Sequence, residues 1–134
     1  MNWFVYHSQS RMGHSYESLG KSAVYSTKKR PKLCLGDLIW VVEGSADKSK
    51  TFTLVDAFEV ASMDFPPFGG AYEAMALRLE GNKSLLMAPV SLDRSMPWFV
   101  DLHDRFIKKR TFFAALNAYP QITDGFRTAA GIHN

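Results

Sequence analysis

Four histidines, one cysteine and a few isolated carboxylates are the residues of this chain that could do covalent or metal chemistry, and their spacing favours neither. His7 and His14 flank a glycine turn, His103 is remote and His133 lies near the end of the chain. No HExxH, HxH or Cys–His spacing joins them, so no metal site is expected. No Gly-x-Ser-x-Gly elbow raises a serine nucleophile. Cys34, between Leu33 and Leu35 and just ahead of an apolar strand, reads as a buried, inert thiol. Asp56 interrupts an apolar strand face and reads as an acid with a raised pKa or, preferably, as a side chain at a solvated mouth. Gly69-Gly70 lacks the residues that would complete a phosphate loop. No catalytic residue and no cofactor are expected from these patterns.

Recognition of nucleic acid is the chemistry the remaining residues could perform. Lys28, Lys29, Arg30 and Lys32 form one basic cluster, and Arg105, Lys108, Lys109 and Arg110 another. Of these, Lys28, Lys29, Arg30, Lys32, Lys108, Lys109 and Arg110 are the candidate phosphate contacts, which would bind by releasing counterions. Tyr25, Phe65, Phe68 and Tyr72 fall in segments that otherwise read as loops, where aromatic rings can stack on unpaired bases. Taken singly, each basic residue could be solvated surface and each ring could cap the core beneath its loop.

The elements that must carry these residues follow from pattern. The chain has 134 residues, is 46% hydrophobic and 22% charged, and carries a net charge of +3, which suits a single domain over residues 1–134. No apolar run reaches membrane-spanning length, and Met1 to His7 has neither a basic n-region nor a small-residue cleavage site. With one cysteine there is no internal disulfide, so the expected location is the reducing cytoplasm, away from membranes. Trp3 to His7, Ser22 to Thr27, Leu38 to Val42, Thr51 to Ala61 and Tyr72 to Glu80 read as strands. Leu38 to Val42 is apolar throughout, as a strand buried on both faces should be. In Thr51 to Ala61 the alternation puts Phe52, Leu54, Phe58 and Val60 on one face with Asp56. Trp98, Leu102, Phe106 and Leu116, with Phe112 and Phe113 between, read as one side of C-terminal helices, Tyr119-Pro120 as their stop and Gly125 to Asn134 as a tail. The expected fold is α+β, with about five or six strands curled into a barrel.

The order of these segments resembles the PUA-like superfamily, in particular its YTH and EVE branches. YTH domains open with a Phe-Val-Ile-Lys-Ser strand, then a helix, then Tyr-Ser-x-Trp-x-Ser-Thr and basic residues. This chain has Trp3-Phe4-Val5-Tyr6-His7-Ser8, Tyr16 to Gly20, Ser22-Ala23-Val24-Tyr25-Ser26-Thr27 and Lys28-Lys29-Arg30. EVE domains place Gly-Asp before an aromatic strand, as Gly36-Asp37-Leu38-Ile39-Trp40 does here. The resemblance covers about half the chain, and Tyr25 stands where YTH domains carry a cage tryptophan. It implies a PUA-like curled β-barrel with peripheral and C-terminal helices that binds DNA or RNA and holds a modified, methylated or flipped base. Ser8 and Ser26, with Thr27, would meet the base edge; Tyr25 and Phe68 would stack on its faces; Phe65, Tyr72 and Trp40 complete the aromatic candidates, Trp40 fitting core and pocket alike. The alternative is an ASCH-type hydrolase or nuclease acting on nucleic acid or nucleosides, with His7, His14, Lys29 and Asp56 as its polar set. A third reading is a protein-binding module that partners a separately encoded nuclease.

Overall fold

A computed structural model describes residues 1–132; His133 and the last tail residue, Asn134, lie outside the described residues. The aromatic and β-branched run at the start forms β1 (Asn2–Ser8). Ser8 then caps the single turn α1 (Gln9–Met12), its Oγ accepting the Arg11 N–H at 3.4 Å. A 3-10 turn (Glu17–Leu19) closes on Gly20 with φ of 69°, a conformation glycine adopts without steric cost. There follow β2 (Ala23–Ser26), β3 (Leu38–Gly44), β4 (Phe52–Glu59), β5 (Ser62–Asp64), β6 (Leu77–Glu80) and β7 (Val90–Leu92). Then come α2 (Pro97–Leu102), which runs on into a π-helical turn (His103–Ile107), β8 (Phe113–Ala115) and α3 (Pro120–Ala130).

The fold is α+β. A mixed five-stranded sheet has the order β7-β4-β3-β1-β8, and a three-stranded sheet the order β2-β6-β5. In the larger sheet only β1 and β3 run parallel, in register from Asn2 opposite Leu38 to Ser8 opposite Gly44. One face of this sheet packs on the helices through Phe4, Trp40, Val42, Leu54, Phe99 and Phe126. The other faces the smaller sheet through Trp3, Val5, Ile39, Val41, Leu77 and Leu79. Strand β3 therefore feeds both cores, which is why its sequence is apolar without alternation. Among the described residues no helix is long and apolar enough to cross a membrane.

Several sequence expectations change. Eight strands form rather than five or six, because β5, β7 and β8 are three-residue pieces too short for alternation to register. The face assigned to Phe52, Leu54, Phe58 and Val60 is split by a bulge at Val55. Val41 faces Asp56 while Val42 faces Leu54, so one extra residue reverses the alternation. Phe52 and Leu54 consequently pack towards the helices and Phe58 and Val60 towards the smaller sheet. Asp56 goes with the second group and is 3% exposed, not at a solvated mouth. Tyr72 sits in a 3-10 turn, and the strand begins only at Leu77. Phe113 lies in β8 rather than on a helix, while Phe106 is buried in the π-helical turn. Pro120 starts a helix instead of stopping one, since its missing N–H and fixed φ suit the first helical position; Gly125 to Ala130 is thus helix, not tail. Cys34 is exposed, because only Leu33 of its segment turns into the core.

Asp37 ties the parallel pair at its start. Its carboxylate accepts the Trp3 indole N–H at 2.9 Å and the Cys34 N–H at 3.0 Å, and pairs with the N-terminal ammonium at 3.1 Å. Burial alone would raise its pKa, but the three donors outweigh burial and hold it below the usual carboxylate range. A depressed folded-state pKa means stabilisation that is present above the unfolded value of about 3.9 and is lost as pH falls through the folded value. Asp37→Asn should cost about 1.5–3 kcal/mol at pH 7. The gap in urea unfolding between wild type and variant should narrow when remeasured at pH 2.5. A gap that stays constant would place the stabilising interaction elsewhere.

Candidate functional site

Between the two sheets lies a cleft of about 520 Å³. It opens because the β1–β8 ladder ends at Val5 opposite Phe113, with one further bond from the Tyr6 N–H to Phe112 O at 2.9 Å. His7 and Ser8 continue β1 beyond that point and line the opening. Strand β2 forms the facing wall, and the segment from Arg110 to Phe113 closes one side.

Four cations line this cleft: Arg11, Lys28, Arg30 and Arg110. Among the described residues no carboxylate does. The guanidinium of Arg30 lies 4.4 Å from the centre of the Phe113 ring and that of Arg11 5.1 Å from Phe112, so aromatic faces orient both. Burial lowers the Arg30 pKa, the direction expected for a cation drawn from water. Arg110 has φ of 59° at the exit from the π-helical turn, where its N–H donates to Ile107 O at 3.0 Å. A non-glycine residue there stores about 1–2 kcal/mol of steric cost.

Of the residues singled out from sequence, Ser8, Tyr25, Ser26, Thr27, Lys28, Arg30, Tyr72 and Arg110 line the cleft together. Their arrangement alters several roles. The hydroxyl of Ser26 donates to Lys28 O at 2.6 Å and accepts from Lys28 N at 3.2 Å and Arg30 Nε at 3.0 Å. Its one donor and both lone pairs are used, so it anchors the basic loop and has nothing left for a base edge. Tyr25 is stacked on Tyr72, with ring centres 4.0 Å apart and planes 7° apart, and Phe68 meets it edge-on at 5.6 Å. A base cannot lie between Tyr25 and Phe68 in this arrangement. Phe65 is 62% exposed and outside the cleft. Trp40 is fully buried and stacked on Phe126 at 5.2 Å, with its indole N–H donated to Asn2 Oδ1; it is core, not pocket. Lys29, Lys32, Lys108 and Lys109 are exposed and do not line the cleft.

Sequence reasoning missed Arg11, Phe112 and Phe113 as cleft residues. Arg11 is an isolated charge in sequence, brought in by the Ser8 cap, and Phe112 and Phe113 were absorbed into a supposed helix face.

A second cleft, of about 770 Å³, lies across a buried polar wall and carries Glu17, Glu43, Asp56, Lys21 and Lys83. Tyr16 belongs to both clefts. Its hydroxyl donates to Asp56 Oδ2 at 2.6 Å and accepts the Ala23 N–H at 3.1 Å, while its own N–H donates to Glu43 Oε2 at 2.6 Å. Burial first, and then the Asp56 carboxyl, push the Tyr16 pKa well above the usual phenol value, so it serves as a fixed donor. His7 joins the wall, its Nε2 3.7 Å from Glu43 Oε2 and 2.9 Å from His14 O. The four residues of the hydrolase alternative are not brought together: Lys29 lines neither cleft, and Asp56 is engaged by Tyr16 on the far side of the wall from the cations. Among the described residues no group of three or more His, Cys, Asp or Glu could hold a metal ion.

Tyr16→Phe should strand the buried Asp56 carboxyl, whose Oδ1 already lacks a partner among the described residues, and cost about 1–3 kcal/mol. Adding Asp56→Leu should recover part of that loss, because it removes the stranded carboxyl while the Ala23 N–H still lacks the Tyr16 oxygen as its acceptor. Chemical denaturation of both single variants and the double variant tests this; additive losses would mean that the two groups are not coupled.

Comparison of the chain with protein-family models, with curated proteins and with solved structures finds no match in any of the three.

Proposed function

We propose that the protein is a nucleic-acid-binding module that holds one unpaired base, modified or flipped, in the cleft between its sheets. The observation that carries this reading is the charge of the cleft: four cations and, among the described residues, no carboxylate, on walls that include Tyr25, Tyr72, Phe112 and Phe113. Phosphates are anions of high charge density, and guanidinium groups bind them through paired N–H donors. Bases are flat and need aromatic faces and a few polar groups. Arg11, Lys28, Arg30 and Arg110 take the phosphates in this reading. Tyr72 offers the stacking face, since Tyr25 backs its other side and no second ring meets it among the described residues. Ser8, whose hydroxyl accepts from Arg11 N and meets Ser10 Oγ at 3.1 Å, keeps capacity for one more hydrogen bond. The two sheets correspond in this reading to the halves of a PUA-like curled barrel, and a methylated base is the guest that the resemblance suggests.

The reading is tested with single-stranded and duplex DNA and RNA oligonucleotides, methylated and unmethylated, at two salt concentrations. Arg110→Gly relieves the left-handed backbone, so folding stability should hold or rise while affinity falls and the salt slope becomes shallower by roughly one unit. Tyr72→Ala should weaken binding roughly ten- to hundred-fold through lost stacking. If both variants bind every strand as the wild type does, nucleic acid does not enter this cleft.

A further inference from the structure

We infer that His7 selects which base the cleft accepts, by presenting a hydrogen-bond acceptor at Nδ1 to an exocyclic amino group; this rests on the nucleic-acid reading above. The inference follows from where the ring hydrogen must sit. His7 follows Trp3 and Val5 on the face of β1 that looks towards the smaller sheet, and it lines the cation-rich cleft although only 7% of it is exposed. Its Nε2 lies 2.9 Å from the backbone oxygen of His14. A carbonyl oxygen can only accept, so Nε2 carries the hydrogen. The carboxylate oxygen of Glu43, 3.7 Å from the same nitrogen and itself held by the Tyr16 N–H, is a second acceptor on that side. In the neutral ring Nδ1 is then a bare lone pair, and it has no hydrogen-bond partner among the described residues.

Rotation of the ring would lose these contacts. The His14 ring packs at 5.3 Å and the Tyr16 ring meets it edge-on at 5.8 Å, while Tyr16 is itself tied to Asp56 and Ala23. The acceptor is thus preorganised, and a guest that leaves it unpaired in a confined site is penalised. Four other lining side chains, Arg11, Lys28, Arg30 and Arg110, carry N–H groups and no lone pair, and the lining hydroxyls can donate as well as accept. His7 gives this cationic cleft an acceptor that in the neutral ring cannot turn donor, and the matching guest is a base with a free amino hydrogen, cytosine, adenine or guanine, including forms methylated on carbon or once on the amino nitrogen.

The test measures binding at pH 8 to strands that differ at one unpaired position. That position carries cytosine, adenine, or their amino-deleted counterparts 2-pyrimidinone and purine. Wild type should prefer the amino bases by about ten-fold or more, the scale of one well-placed hydrogen bond to a base. His7→Phe keeps a ring in place and should bind the amino and amino-deleted strands alike, with thermal unfolding reporting its fold. Equal binding of both kinds of strand by the wild type overturns the inference even if the variant fails to fold. A preference that survives in a folded His7→Phe protein overturns it too. If the wild type binds amino and amino-deleted strands equally yet loses affinity on Tyr72→Ala, only the role of His7 falls; if it binds no strand, the nucleic-acid reading falls with it.

Discussion

A parallel strand pair cannot be closed by a tight turn, and β1 and β3 are joined instead by everything between residues 9 and 37. That crossover contains α1, the Glu17–Leu19 turn, β2 and the basic loop, so the connection the ladder requires is also the wall of the cleft. Asp37 sits where the crossover re-enters the sheet and receives N–H groups from both ends of it, Trp3 on β1 and Cys34 on the loop. Pairing two strands side by side thereby decides where Tyr25, Ser26, Lys28 and Arg30 stand relative to His7 and Ser8.

Charge is sorted across the molecule by the same arrangement. One side of the Tyr16 wall carries four cations and, among the described residues, no carboxylate, while the other carries Glu17, Glu43 and Asp56 together with Lys21 and Lys83. The wall stays buried because its donors meet acceptors: one tyrosine serves Glu43 through its backbone and Asp56 through its hydroxyl, and its oxygen accepts from β2. Like charges gathered in the cleft repel one another. Resting Arg11 and Arg30 on Phe112 and Phe113 and hanging Arg30 on Ser26 holds the guanidinium groups against that repulsion.

Elements whose signal is local were legible in sequence. The apolar runs of β1 and β3, the extent of β4 and the Gly20 stop lie where composition and periodicity put them, although the Val55 bulge splits the face read for β4. Short strands and the final helix were not, since three residues carry no period and Pro120 has opposite meanings at a helix start and a helix interior. In the cleft, Tyr25, Lys28, Arg30 and Tyr72 are among the residues that type and clustering pointed to, but the same signal pointed equally to Phe65, Lys29, Lys32, Lys108 and Lys109, which do not line it. Arg11 and Phe112 were not legible, because nothing within their own windows distinguishes them from surface and core.

Sequence by itself determined the α+β class, the two-faced burial of β3 and the clustering of basic residues, all properties of residue type and spacing over a few positions. Tertiary structure decided the rest. It placed Trp40 in the core, turned Ser26 into an anchor and pressed Tyr25 against Tyr72. The Val55 bulge sent Asp56 inward, and the backbone oxygen of His14 dictated which nitrogen of His7 holds its hydrogen. The physical reason is common to these cases. A hydrogen bond or a stacked ring has a fixed capacity, and which partner fills it depends on residues far away in the chain that only folding brings within 3 to 4 Å.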